Sequence, residues 1–270
     1  MTTSPSPRVQ QDPPLVQRVE IEGRPATAEQ LLWPALVNDG HFTAMQVRAG
    51  RVRGLGLHLA RLDSATRELF DRGLDGGRVR ELVRHALGDD ITDAAIRVYV
   101  HAPDGEPRIM VTVRPPAGMP ADAQSLMSVP YLRPVPHIKH VGGFGQIHYG
   151  RLARRAGFDG ALLTGPDGTV SEGAVANIAF YDGSDVVWPD APCLAGTTLQ
   201  LLEPRLGDAG LRSRRAPVGL ADLASYPSAF VMNSLGIAPV RRIDATDFTV
   251  DEKLMGALAD VYASVPWEAL

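Results

Sequence analysis

The chain has 270 residues, 44% apolar and 21% charged, with a net charge of −4. These are the proportions of a globular protein whose length buries a sizeable core without disulfides. The dispersed basic residues argue against a nucleic-acid or anionic-membrane surface, and no apolar run approaches the 18 residues of a membrane span.

In chain order, the opening M-T-T-S-P-S-P-R-V-Q-Q-D-P-P-L is rich in Pro, Ser and Gln and has no apolar leader core. It reads as a disordered tail over residues 1–18, and a cytoplasmic location is expected. R-V-E-I-E-G-R-P then alternates like a short strand ending in a turn, and H-F-T-A-M-Q-V-R-A-G-R-V-R predicts a hairpin turning at Ala49-Gly50. Leu55 to Arg72 places Leu55, Leu59, Leu62, Leu69 and Phe70 near helical spacing, and Arg78 to Leu87 repeats the pattern. A-A-I-R-V-Y-V and R-I-M-V-T-V-R predict two strands around P-D-G-E-P. P-P-A-G-M-P-A-D-A, residues 115–123, disfavours helix and sheet alike. An interdomain linker is expected over 118–128, between domains at 19–117 and 129–270.

The second half restarts with S-L-M-S-V-P-Y, followed by a helix at about 146–156. Hairpins are predicted to turn at Pro166-Asp167-Gly168 and near Asp182-Gly183, then a helix starts at G-T-T-L-Q-L-L and is cut short by Pro204. A-F-V-M-N-S-L-G-I-A-P-V predicts a strand, a tight turn and a second strand. A lone cysteine, Cys193, excludes an internal disulfide and a Cys-based zinc site. The seven histidines form neither H-x-x-x-H nor H-E-x-x-H, so no metal is expected.

Lys139, in V-P-H-I-K-H-V-G-G-F-G-Q, stands out because arginine supplies almost every other positive charge. Pro136 and Ile138 suggest an extended segment heading inward. A lysine buried there would have a depressed pKa and a nucleophilic amine suited to a Schiff base; the plain alternative is a surface charge. Arginine cannot do this, because it keeps its proton. Glu172, closing a strand in G-T-V-S-E-G, reads either as a hairpin-edge carboxylate or as one aimed at a heteroaromatic nitrogen. Gly196, Thr197 and Thr198 at a helix start could seat a phosphate or simply cap the helix. The turn M-N-S-L-G offers a second hydroxyl, and Arg61 sits on the apolar-faced helix. G-G-F-G lacks the G-x-G-x-x-G spacing of a dinucleotide loop.

The order of these motifs carries more than any one of them. H-x-x-R-L, I-K-H, G-x-V-S-E-G-x-x-x-N-I, a G-T-T helix start and N-S-L-G together resemble the class IV aminotransferases, fold-type IV pyridoxal-phosphate enzymes. That group includes branched-chain and D-amino-acid aminotransferases and aminodeoxychorismate lyase, and I-K-H with the N-S-L turn looks most like the lyase branch. The resemblance implies an α+β fold of two domains, a small α/β N-terminal one and a larger C-terminal one with a β-barrel-like core, assembled as a homodimer. It implies pyridoxal 5'-phosphate as cofactor, with Lys139 forming the Schiff base and moving the proton. Glu172 would pair with the pyridine nitrogen, Arg61, Thr197, Thr198 and Ser234 would hold the phosphate, and Asn177 would brace the Glu172 hairpin. His58 would be structural.

Two positions depart from the family. Phe144 stands where several members place a tyrosine, and Gln46 where they often place an arginine. His41, Thr43, Gln46 and Phe144 are expected to line the substrate side. The implied activity is transfer of an amino group between an amino acid or amine and a 2-oxo acid. A lyase forming 4-aminobenzoate and pyruvate, or a non-catalytic cofactor-binding protein, remains open at this stage.

Overall fold

Strict alternation along two long strands sets up the first half of the molecule. The structure is a computed structural model describing residues 16–270. Its first part runs β1 (Arg18–Ile21), β2 (Arg24–Pro25), α1 (Ala28–Leu36), β3 (His41–Arg48), β4 (Arg51–Arg53), α2 (Leu55–Phe70), α3 (Gly76–Leu87), β5 (Ala94–His101) and β6 (Arg108–Arg114). In β3, His41, Thr43, Met45 and Val47 are buried, and Phe42, Ala44 and Gln46 point to the other face. β5 repeats the division, with Ala94, Ile96, Val98 and Val100 inside. The helices α2 and α3 cover this inner face, so Leu55, Leu62, Val79 and Val83 pack against Met45, Ile96 and Val111. Each such side chain contributes about 1.5–3 kcal/mol. The β3–β4 hairpin turns through Ala49 and Gly50, both in the left-handed region (φ 48° and 69°), which suits the right-handed twist of the flanking strands.

The second part continues with β7 (Gln124–Pro130), α4 (Phe144–Arg155), β8 (Gly160–Thr164), β9 (Val170–Gly173), β10 (Asn177–Tyr181), β11 (Asp185–Pro189), α5 (Thr197–Leu202), β12 (Arg212–Ala216), β13 (Ser228–Asn233), β14 (Gly236–Ile243), β15 (Thr246–Asp247), α6 (Glu252–Ser264) and β16 (Trp267–Ala269). Its sheet runs β12-β11-β10-β13-β14-β7-β8-β9, with β15 on β14. The sheet curls back on itself: Thr169 bridges to Gly219, and the Val170 amide donates to the Val218 carbonyl at 2.7 Å. Leu126, Leu162, Val170, Ile178, Val187, Val231 and Val240 fill the space it encloses. This mixed fold with a curled sheet is the α+β architecture implied by the resemblance.

Four details depart from the sequence reading. Residues 124–128 of the expected linker are strand, because β7 pairs in parallel with both β14 and β8; the part before them forms no strand, and its Met119 N–H donates to the Leu235 carbonyl at 3.1 Å. Of the expected tail, residues 1–15 lie outside the described residues, and Gln17 and Arg18 pair with Val113 on β6. α1 forms despite Pro34, held by a capping box between Thr27 and Gln30. Finally, β16 pairs antiparallel with β4 in the first sheet, where Arg53 stacks its guanidinium 4.3 Å from the Trp267 ring centre.

Candidate active site

A cavity of about 610 Å³ opens between the outer face of the first sheet and the curled sheet. Lys139 enters it from an irregular segment, not the extended one expected: Val135 is left-handed (φ 45°) and the Ile138 amide turns back to the Val135 carbonyl at 3.0 Å. That segment is fastened to the start of β3. Phe42 N–H donates to Lys139 C=O at 2.9 Å, and Val141 N–H donates to Gly40 C=O at 3.0 Å. Gly40 is obligatory there, since φ is 142° and a Cβ would meet the Val100 carbonyl oxygen at 2.5 Å. The Lys139 amine sits 4.9 Å from the Phe42 ring centre. The residue keeps some access through the cavity, but the amine itself is strongly desolvated. Burial, reinforced by Arg61 and Arg133 and opposed by Glu172, lowers its pKa to about 7.

Glu172, at the end of β9, is 4% exposed. Its Oε2 accepts the Leu194 amide at 3.3 Å, while Oε1 has no hydrogen-bond donor and lies 3.5 Å from Arg133 Nε. Burial raises its pKa, with Arg133 acting against the rise. Arg133 was not singled out from the sequence. It donates to the carbonyls of Pro136 and Ile138, both at 2.6 Å, and so braces the turn that delivers Lys139. Nothing in its spacing distinguishes it from the chain's many other arginines.

Asn177, at the start of β10, donates to the Leu194 carbonyl at 2.8 Å. The peptide flanking Leu194 is thereby held on one side by Glu172 and on the other by Asn177. Asn177 thus props the loop before α5 and does not brace its own hairpin. Gly196 makes this possible, because a Cβ there would lie 2.0 Å from Asn177 Oδ1. Arg61, on α2, donates to the Ala195 carbonyl in the same loop at 2.7 Å. Burial and Arg133 lower its pKa to about 10, which leaves it charged at neutrality.

The Thr197 hydroxyl is buried without a partner, and Thr198 donates its own to the Asn233 carbonyl at 2.7 Å, tying α5 to the turn that carries Ser234. Lys139, Glu172, Arg61, Asn177, Thr197 and Ser234 all line the cavity. α5 has only six residues, so the full charge on Arg61 outweighs the partial charge of the helix end.

The expected substrate-side residues divide. Gln46 faces the cavity, where its Oε1 accepts the Ala117 amide at 3.1 Å. His41 and Thr43 do not, because their parity in β3 turns them into the core. His41 Nε2 lies 3.0 Å from Thr66 Oγ1, and Thr43 Oγ1 lies 2.7 Å from His58 Nδ1. Burial lowers the pKa of His41 to about 4 and of His58 to about 3, so both are neutral and structural. Phe144 is 79% exposed at the start of α4 and stacks on His148; it does not line the cavity. Among the described residues no cluster of His, Cys, Asp and Glu could hold a metal ion, and no helix is long and apolar enough to cross a membrane.

A lysine of depressed pKa, a buried carboxylate and a loop that sets an unpartnered hydroxyl near a guanidinium surround one cavity, the arrangement of an enzyme site rather than a passive cleft. The sequence profile described as amino-transferase class IV matches residues 40–243. The chain belongs to the class IV aminotransferases and is an enzyme, and pyridoxal phosphate is the cofactor of that family.

Among solved structures, it is similar to a hypothetical aminotransferase from Mycobacterium tuberculosis in its PLP-bound form, at 22% identity and TM-score 0.76, covering 86% of this chain and 91% of that one. A branched-chain aminotransferase from Thermoproteus uzoniensis shares 20% identity at TM-score 0.77, over 92% and 94% of the two chains. The 4-amino-4-deoxychorismate lyase from Pseudomonas aeruginosa shares 25% at TM-score 0.75, over 92% and 99%. No curated protein matches the sequence.

Proposed function

We propose that the protein transfers an amino group between an amino acid or amine donor and a 2-oxo acid, using pyridoxal phosphate linked as a Schiff base to Lys139. The observation that carries this reading is the Lys139 amine, whose pKa falls to about 7 beside the cavity. A primary amine that sheds its proton near neutrality is what imine formation requires.

The other residues present fit the cofactor. Glu172 offers a carboxylate oxygen with no hydrogen-bond donor, suited to a protonated ring nitrogen. The unpartnered Thr197 hydroxyl, the Arg61 guanidinium and Ser234 offer a phosphate seat across the same cavity. When bound, the cofactor supplies a carbonyl carbon and an electron-withdrawing ring. The Lys139 amine would be the base at hand to move a proton at the substrate's α-carbon, and its low pKa suits it to both directions. Glu172, where Arg133 opposes the rise that burial imposes on its pKa, would face the ring nitrogen and hold its proton.

Borohydride reduction of the cofactor-loaded protein, followed by peptide mapping, tests the covalent role. A pyridoxyl adduct on Lys139 is expected, and its absence would sink the reading.

The lyase reaction, releasing 4-aminobenzoate and pyruvate from aminodeoxychorismate, is the second reading. It draws on the likeness to the Pseudomonas aeruginosa lyase and on the lack of a phenol at position 144. Pyruvate release from aminodeoxychorismate without any amino acceptor would favour it over amino transfer. A homodimer completes the proposal: Phe144 and Val175 are 79% and 76% exposed, as surfaces covered by a second copy would be. Light scattering at the monomer mass would refute that part.

A further inference from the structure

Gln146 is a buried amide with nothing to bond. It stands in the first turn of α4 and is 9% exposed. Its Oε1 is sealed from solvent without a donor, and no hydrogen bond holds its Nε2 among the described residues. Burying an amide unpaired is costly, and a bound ligand is what removes that cost. The ordinary use of a glutamine at this position is excluded. Third in the helix, it would reach back to the amide of the capping residue. That residue is Gly143, whose N–H already donates to the Val141 carbonyl at 2.7 Å, and α4 has no side-chain cap. Gln146 lines the cavity instead. Gly145 lets the turn settle there: a Cβ on it would lie 2.2 Å from the Tyr131 ring, so the helix sits flush on that ring.

The sheet fixes which side of the cavity this amide serves. Gln146, Gly150 and Ala153 form the buried stripe of α4, and Ala153 packs with Val129, Ala161 and Leu163. Leu163 lies opposite Glu172 in the β8–β9 register, so Glu172 projects from the face of the sheet that α4 covers. α4 itself starts at Phe144, shortly after Lys139. Gln146 thus belongs to the side where Lys139 and Glu172 lie. The phosphate seat comes from other elements: Arg61 from α2, Thr197 from α5 and Ser234 from the turn after β13. Around a pyridoxal ring the order is nitrogen, methyl group, phenolic oxygen, carbonyl carbon and phosphate arm. With Glu172 at the nitrogen, Lys139 at the carbonyl and the phosphate in its seat, the edge bearing the phenolic oxygen is the one left without a partner. A carboxamide N–H is the donor such an oxygen takes.

We propose that Gln146 donates its Nε2–H to the phenolic oxygen of the cofactor, as a binding and positioning residue of the same site. This rests on the functional reading above and deepens it. A donor at that oxygen stabilises its negative charge, which is greatest once the neighbouring Schiff-base nitrogen has lost its proton. Gln146 thereby lowers the pH at which the bound chromophore titrates. The charged and titratable groups that line the cavity, Tyr99, Lys139, His140, Glu172 and four arginines, are the same in every variant below, so a shift between variants reports the amide.

The test compares wild type with Gln146→Met and Gln146→Leu, side chains of similar volume that carry no donor. In cofactor-loaded protein the pH midpoint of the visible absorption band should rise by about one unit in both variants. Calorimetry on cofactor-free protein should show affinity for pyridoxal phosphate falling about tenfold, while affinity for the analogue lacking the phenolic oxygen changes less than about twofold. Urea unfolding of the cofactor-free variants should show no loss of stability, because an unpaired buried amide has been removed. An unmoved midpoint, or an equal loss of affinity for the two cofactors, overturns the proposal. A loss of cofactor-free stability also overturns it, by making Gln146 a packing residue. Cofactor attachment is read separately as the mass of the Lys139 peptide after borohydride reduction. Its absence in wild type sinks the functional reading, while the comparison of the two cofactors still decides this inference.

Discussion

Replacing Lys139 by methionine isolates the energetic cost of the reactive amine. In the unfolded chain the amine keeps its proton up to its ordinary pKa of 10.5, and in the fold only to about 7. Below pH 7 both states are protonated, and the fold carries the full cost of a charged amine out of water. Between pH 7 and 10.5 the unfolded chain binds more protons, so stability rises with pH across that window. At about 1.4 kcal/mol per pH unit the ceiling is roughly 5 kcal/mol. Water in the cavity screens the charge and brings the figure to about 2–4 kcal/mol.

Urea unfolding of cofactor-free wild type and Lys139→Met at pH 6, 7.5, 9 and 10 measures it. The variant should be more stable at pH 6 by about 2–4 kcal/mol, and the gap should close as pH approaches 10. Any packing difference between the two side chains is independent of pH and drops out of the trend. A gap that stays flat from pH 6 to 10 would refute the claim that this amine is held near neutrality by its surroundings.

Glu172→Gln should still take up cofactor on Lys139 but turn over about 100- to 1000-fold more slowly, read by comparing adduct mass with steady-state rate. Gly196→Ala should lose about 1–3 kcal/mol through collision with Asn177 Oδ1, and Asn177→Ala in the same chain should recover part of that loss in a double-mutant cycle. Thr43→Val should cost about 1–3 kcal/mol by stranding His58 Nδ1 in the core, while KM stays unchanged; a KM effect without a stability effect would return Thr43 to the substrate side.

Local pattern made much of the fold legible. The turns at Gly50, Gly168 and Gly183 need left-handed backbone and carry the residue that adopts it. Helical spacing disclosed α2 and α3. α6 was passed over, although its Asp251 cap and its Leu254, Leu258 and Val261 spacing are plain in hindsight. α1 was hidden by Pro34, and β16, three residues long, is too short to show a period. In the site, Lys139, Glu172 and Arg61 were legible as an ordered set and Gln46 as a departure. The error over His41 and Thr43 was one of parity: period two puts them on one face of β3 and Gln46 on the other, a division available from the sequence alone. Arg133 was illegible for a different reason. In an arginine-rich chain, only the tertiary surroundings separate a guanidinium in a cavity from one in solvent.

The crossing of β16 into the first sheet bears on how the molecule comes to exist on the ribosome. Arg51 and Trp267, joined by a side-chain hydrogen bond of 3.1 Å, are 216 positions apart. The first sheet is therefore translated early but acquires its β16 edge only after all of the curled sheet has been made, a contact order that favours slow completion. Through that interval β4 is an open edge, exposed to pairing with another nascent chain. Its sequence, R-V-R, sets an arginine on either side of its single valine, and charge on a short edge is how such pairing is discouraged. Arg51 and Arg53 thus serve twice: as guards while the strand waits, and then as the anchors that receive its partner.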